Sequence, residues 1–263
     1  MTGGPASARV RLVRAPNPSP MTLDGTNTWV LTEPGRNLAV VVDPGPDDPA
    51  HAAAIGAAVS ESGADAVGLV VLTHGHPDHA AGAAAFAARA GAPVRAAEPS
   101  LCAGGGPLTD GERLVVAGLE LDVVATPGHT ADSVCLLLEA EHALVTGDTV
   151  LGAGSTVVAR PDGELAAYLA SLRRLRRLVD ERGVRRVLPG HGPVRDDPQG
   201  VLDSYLAHRE QRLDQVRAAI AAGARDVDGV LTVVYSDVEP GLREAARWST
   251  LAQLDYLRGR GEF

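Results

Sequence analysis

The feature that most constrains this chain is residues 73–82, THGHPDHAAG, which set His74, His76, Asp78 and His79 within six positions. An apolar run at 67–72 precedes them and reads as a buried strand. An Ala-rich run at 80–90 follows and reads as a helix. The four side chains therefore occupy a strand-to-helix turn, at the carboxyl end of a strand, where open α/β sheets place their sites. The two-residue period of the strand puts His74 and His76 on one side. Pro77 redirects the chain, and Asp78 and His79 open the helix on a second side. Two pairs of ligands on two sides imply two metal ions. Imidazole with carboxylate suits zinc, ahead of iron or manganese. A lone surface histidine is ordinary, but three with an aspartate after a buried strand are hard to attribute to chance.

Two ions need more than four ligands. Of the 8 histidines, two more stand in repeating contexts: His129 in TPGHT after a strand at 119–125, and His191 in LPGHG after a strand at 184–188. In each, an apolar run leads to Pro-Gly and then His, and the glycine lets the backbone pass close to an ion. A strand at 143–146 ends in Gly147-Asp148-Thr149, so four strand ends each deliver ligands. His142, at a hairpin tip, is expected to face solvent.

HxHxDH, PGHT, GD and PGHG, in this order, resemble the metallo-β-lactamase superfamily of metal-dependent hydrolases. Residues 41–45, VVDPG, resemble its opening strand. The strings TLDGTNT (22–28), GDTVLG (147–152), YLASL (168–172) and His208-Arg209 are similar to the β-lactamase-like protein 2 (LACTB2-like) group within it. The resemblance runs from about residue 8 to 263. It implies an α/β protein: an αββα sandwich over residues 1–196 and a small helical, winged-helix-like domain over 197–263. It also implies that His74, His76 and His129 hold one zinc, that Asp78, His79 and His191 hold the other, and that Asp148 bridges them. Asp43 would orient a ligand from behind. The implied nucleophile is a hydroxide shared by ions about 3.5–4 Å apart, with Asp78 orienting the water or taking its proton.

Composition narrows the rest. The net charge is −9 and no lysine occurs, which excludes a P-loop lysine and a Schiff-base lysine. No G-x-S-x-G elbow is present, so a serine hydrolase is unsupported. No apolar run approaches a membrane span, and the N-terminus lacks the apolar core of an export signal, so a cytoplasmic protein without a membrane partner is expected. Cys102 and Cys135 are far apart, with Cys135 expected as a buried thiol. Arg173, Arg174, Arg176 and Arg177 read as a solvated helix face, paired with acids such as Asp180 and Glu181. The tail from Pro198 carries few bases. It reads as a site wall or an oligomer contact, not as a reader of duplex DNA. The oligomeric state stays open, a homodimer being one option.

Single-stranded RNA and an acyl-thioester remain as substrates, with a lactone or β-lactam below them. RNA stands narrowly ahead, because the matched strings reach the 22–28 loop and His208-Arg209. On that reading Thr26, Asn27, His208 and Arg209 are substrate-binding candidates, with Arg212 nearby. Trp29, Tyr168, Tyr205 and Tyr235 are candidate stacking platforms. A redox reading lacks a flavin domain, and a purely binding role does not explain a complete ligand set.

Overall fold

A computed structural model describes residues 7–262. The first six residues of the N-terminal stretch read above for an export signal, and Phe263, lie outside it. The first sheet runs β1 (Val10–Arg14), β2 (Asn27–Thr32), β3 (Leu38–Val42), β4 (Ala66–Val71), β5 (Val94–Arg95) in spatial order. Its first three strands are antiparallel, and β4 and β5 join in parallel. The second sheet contains β6 (Arg113–Val116), β7 (Leu119–Ala125), β8 (Val134–Leu138), β9 (Ala143–Gly147) and β10 (Arg186–Pro189), ordered β10-β9-β8-β7-β6. Only the β9–β10 pair of this sheet is parallel.

Strand alternation builds the layers. Trp29, Leu31, Val40 and Val42 face one way and meet Leu121, Leu136, Leu138 and Val145 of the other sheet in a dry central core. The intervening Val30, Ala39 and Val41 face outward onto α1 (Pro49–Glu61) and α3 (Ala83–Ala90), with Ile55 and Phe86 filling the gap. On the far side, Cys135, Leu137 and Leu144 pack against α4 (Leu165–Glu181). This is the αββα sandwich implied by the resemblance, its central strands covered on both faces.

Beyond it come α5 (Pro198–Ala221), α6 (Val227–Val234) and α7 (Arg243–Gly259); the described part of the tail, residues 197–262, contains no strand. The apolar run at 227–235 is a helix, not a strand. The core of these helices is continuous with that over the second sheet: Leu169, Leu172 and Leu175 share one cluster with Leu202, Leu213, Val216, Leu254 and Leu257. Trp248, which shares helical spacing with Leu251, Leu254 and Leu257, is nevertheless 39 % exposed.

Three local readings change. The single helix expected after the histidine motif is split into α2 (Pro77–Ala80) and α3, because Gly82 bonds Gly45 O and lies against Pro46, leaving no room for a Cβ. Asp162, whose type and place before α4 suit an N-cap, instead accepts from Ala131 N at 3.0 Å, and Glu164 takes the cap position. The arginine face of α4 is paired, but across elements: Arg174 with Asp110 and Arg176 with Asp203, not with Asp180 and Glu181. Among the described residues no helix is long and apolar enough to cross a membrane.

Candidate metal centre

The carboxyl ends of β7, β9 and β10 all point to one edge of the second sheet, since β7 and β9 both run opposite to β8 and β10 parallels β9. The end of β4 meets them there. Val134 N donates to Thr73 O and Asn27 N donates to Gly190 O, at 2.8 and 2.7 Å, which sews the two sheets together. Strands with no sequence proximity thus converge on one cluster of side chains.

The cluster has two lobes. In one, His76 Nδ1 lies 3.1 Å from His74 Nε2 and 3.1 Å from His129 Nε2. In the other, His79 Nε2, His191 Nε2 and Asp78 Oδ2 are mutually 3.2–3.4 Å apart. Asp148 stands between, its Oδ1 3.4 Å from His79 and its Oδ2 3.2 Å from His191 and 3.8 Å from His129. All seven residues expected as ligands are thereby assembled, in the two expected groups. His142 is exposed, in a left-handed turn.

The donor set fits a metal pair. Nitrogens bound to one tetrahedral zinc at about 2.0–2.1 Å lie roughly 3.3 Å apart, the spacing found in both lobes. Outer hydrogen bonds fix the tautomers. Thr73 donates its hydroxyl to Asp43 and so accepts from His74 Nδ1–H at 3.0 Å; Asp43 accepts from His79 Nδ1–H at 2.9 Å; Val157 O accepts from His129 Nδ1–H at 2.8 Å. Each bond leaves an Nε2 lone pair aimed inward. Asp148 Oδ1 is buried and accepts no hydrogen bond, a costly arrangement for a carboxylate without a cation. Gly190 is obligatory at this spot, because a Cβ there would run into the Asp148 carboxylate and the His79 ring.

Charge balance within the cluster is strained in the direction a cation relieves. Burial lowers His74 well below the ordinary imidazole range, with His79 adding to the effect. Burial also pushes on His79 and His191, but Asp148, with Asp43 for the first and Asp78 for the second, overrides it. His79 stands well above the ordinary range and His191 at about 9. Burial would raise Asp148 and Asp78, yet His79 and His191 hold Asp148 well below the carboxylate range and Asp78 at about 2.

The substrate-binding candidates fall elsewhere. Thr26 is buried and donates to Asp78 Oδ2 at 3.1 Å; Asn27 is buried and spends its amide on Pro189 O and Gly192 O. They hold ligand-bearing chain rather than offering surface. Arg209 is 5 % exposed, stacks on Tyr168 and bonds Ser155 Oγ and Thr156 O. Arg212 lies over Tyr235. Trp29, Tyr168 and Tyr205 are buried, their polar atoms committed to Pro189 O, Thr149 O and Leu151 N. His208 is half-exposed, 3.4 Å from Ser155 Oγ, as are Arg212 and Tyr235. Two contributors had no sequence signal as such: the Val157 carbonyl behind His129, and Asp132, whose carboxylate flanks Gly75 beside His76.

Residues 21–191, which hold every one of these ligands, match the family model of the metallo-β-lactamase superfamily. The chain belongs to that superfamily. Its relatives include the β-lactamase-like protein 2 homologue of Drosophila melanogaster, 30% identical over 264 residues, covering 94% of this chain and 86% of that protein. They also include the lactamase-like protein vrtG of Penicillium aethiopicum, 36% identical over 226 residues, covering 82% of this chain and 67% of that protein. Among solved structures, a metallo-β-lactamase family protein of Thermus thermophilus superposes with a TM-score of 0.80 at 26% identity, covering 97% of this chain and 95% of that one. This metallo-β-lactamase superfamily member is of the LACTB2-like type, with a His/Asp cluster able to hold two metals.

Proposed function

We propose that this protein is a dinuclear, zinc-dependent hydrolase of acyl-thioesters. The observation that carries the substrate reading is the character of the site mouth. Exposed Gly75, next to His76, is flanked by Leu101 and the carboxylate of Asp132. Burial raises the Asp132 acid, and Asp162 nearby raises it further. On the other side, Leu23 lies against Gly192. Apolar groups and acids suit a neutral acyl group and repel a phosphodiester chain. Arg209 and the rings of Trp29, Tyr168 and Tyr205, candidates to hold RNA, are committed inward. RNA cleavage is therefore the competing reading, supported by the matched strings and not by the mouth.

When bound, the two ions would supply an activated water and a positive field for the oxygen of the attacked carbonyl. The chain's own part is positioning. Thr26 donates to the Asp78 oxygen that faces His79 and His191, fixing the carboxylate in that lobe; its other oxygen would accept a proton from the attacking water. Asp43 steers His79 directly and His74 through Thr73, so one acid sets a ligand in each lobe. Asn27 keeps the His191 loop against β2.

The test is turnover by the zinc-loaded enzyme on an acyl-thioester and on a short single-stranded RNA, with Asp78→Ala as control. The expected result is thioester hydrolysis at a kcat/KM at least 100-fold above the variant, with RNA intact. RNA cleavage lost in Asp78→Ala, with the thioester untouched, overturns the proposal.

A further inference from the structure

The loop that leaves Asp148 has a second face. Gly154 and Ser155 join Arg195, Ser204, Tyr205 and His208 around a cavity of about 350 Å3. No carboxylate lines it. The acids closest in sequence are turned away: Asp203 pairs with Arg176, Asp196 with Arg186, and Asp197 accepts from Gly200 N at the start of α5. Arg195 spends one N–H on Gly152 O at 3.0 Å. Ser155 is positioned to give its hydroxyl proton to His208 Nδ1, at 3.4 Å, which leaves His208 Nε2–H as a donor. Arg209 and Arg212 lie close enough to depress the His208 imidazole beyond the effect of burial. In a chain of net charge −9, this is a small, locally positive pocket lined by hydroxyl, imidazole and guanidinium donors.

It also abuts the metal centre. The loop begins at Asp148, and Gly152 N donates to His191 O at 2.8 Å. The metal-site mouth offers acids and apolar groups on the His76 side, and this pocket offers cationic donors beyond the Asp148 loop. That polarity fits a molecule with a neutral reacting end and one anionic end. Building on the thioester reading, we propose that this pocket binds a phosphate on the thiol half of the substrate. A phosphate accepts several hydrogen bonds at once, and Arg195, Ser204 and His208 offer donors around the apolar Val201.

The experiment compares two non-hydrolysable probes on the zinc-loaded, full-length protein: S-methyl pantetheine 4′-phosphate and S-methyl pantetheine. The two differ only in the phosphate, so their affinity ratio, read by titration calorimetry, isolates the pocket from the metals. The phosphorylated probe is expected to bind about tenfold tighter. The ratio should fall to near one in His208→Ala and in Ser204→Asp, and rise in Ser204→Lys, a substitution on an exposed helix position that leaves the core untouched. Equal affinities in the native protein, or a ratio unmoved by all three variants, overturn the pocket. A nucleoside monophosphate and its nucleoside are compared in the same way; a larger ratio for that pair overturns the assignment to a thiol half. Turnover is read separately. A sound phosphate ratio without thioester hydrolysis refutes the proposed activity and leaves the pocket standing; hydrolysis with a ratio of one does the reverse.

Discussion

Asp43 holds more of the site than any residue that could touch a metal. It adopts a left-handed backbone conformation at the end of β3, φ 51°, a region an aspartate tolerates better than most residues. From there its two oxygens accept from Thr73 N, Thr73 Oγ1 and His79 Nδ1 at 2.6–2.9 Å. Asp43→Ala should therefore weaken both metals together, by about 10–100-fold each, measured by competition with a chelator; loss of a single metal would contradict the shared support. Titration behaviour follows from the same carboxylates. His191 is raised to about 9, so its folded-state contribution in metal-free protein is complete below its ordinary pKa and is lost as pH rises through 9. Asp78, depressed to about 2, contributes above its ordinary pKa and is lost only as pH falls through 2. Metals displace the imidazole protons, so their binding strengthens as that contribution fades. The gain in Tm on adding zinc should accordingly be larger at pH 9 than at pH 6.5, read by calorimetric melts. A gain that shrinks over that interval would show that His191 is not a ligand.

At the scale of elements, the decisive link is between α5 and the loop 148–158. Tyr205 receives Leu151 N, Tyr168 donates to Thr149 O, and Arg209 clamps Ser155 and Thr156, one residue before the carbonyl that orients His129. Thr156 in turn donates to Asp148 O at 2.8 Å. A helix from the tail thus sets the backbone behind a metal ligand. Arg209 has no carboxylate among its hydrogen-bond partners, and its Nε is unsatisfied, so the residue does little for stability that an apolar stem could not supply. Arg209→Met should keep the melting temperature within a few degrees while weakening the metal held by His74, His76 and His129 about tenfold or more. In cobalt-substituted protein, one of two absorption bands should change. Unchanged metal affinity with a lower Tm would reduce Arg209 to a packing role.

For the whole molecule, the tail is joined to the sandwich through its core. Leu202, Leu213, Leu254 and Leu257 are fully buried in a cluster that continues into α4. Ending the chain at residue 196 would bare that apolar face of α4 along with the loop behind Asp148. Burial of this kind is worth about 1.5–3 kcal/mol per large side chain, so the truncated chain should be insoluble or molten. Soluble expression of residues 1–196 with two bound metals and a cooperative melt would show two independent domains instead.

The amino-acid sequence by itself singled out the histidines and aspartates that cluster, and the apolar strands that carry them. Histidines and aspartates grouped in strand-end motifs carry their own local geometry, and the apolar runs of β3 and β8 mark strands covered on both faces, both short-range properties. Periodicity could not decide what lies behind a ligand. Thr26, Asn27, Arg209 and the tyrosines have the residue types of a binding surface, and only packing shows that their polar atoms point inward, to chain segments up to 165 residues away. The same holds for Trp248, whose helical spacing is that of a core residue, and for Gly82, whose contact with the 45–46 turn splits a helix that the composition favours. Local pattern records which residues can be buried or can bind a metal. Which of them meet, and which of their hydrogen-bonding atoms remain free for a substrate, depends on neighbours remote in the chain and is decided by the tertiary structure alone.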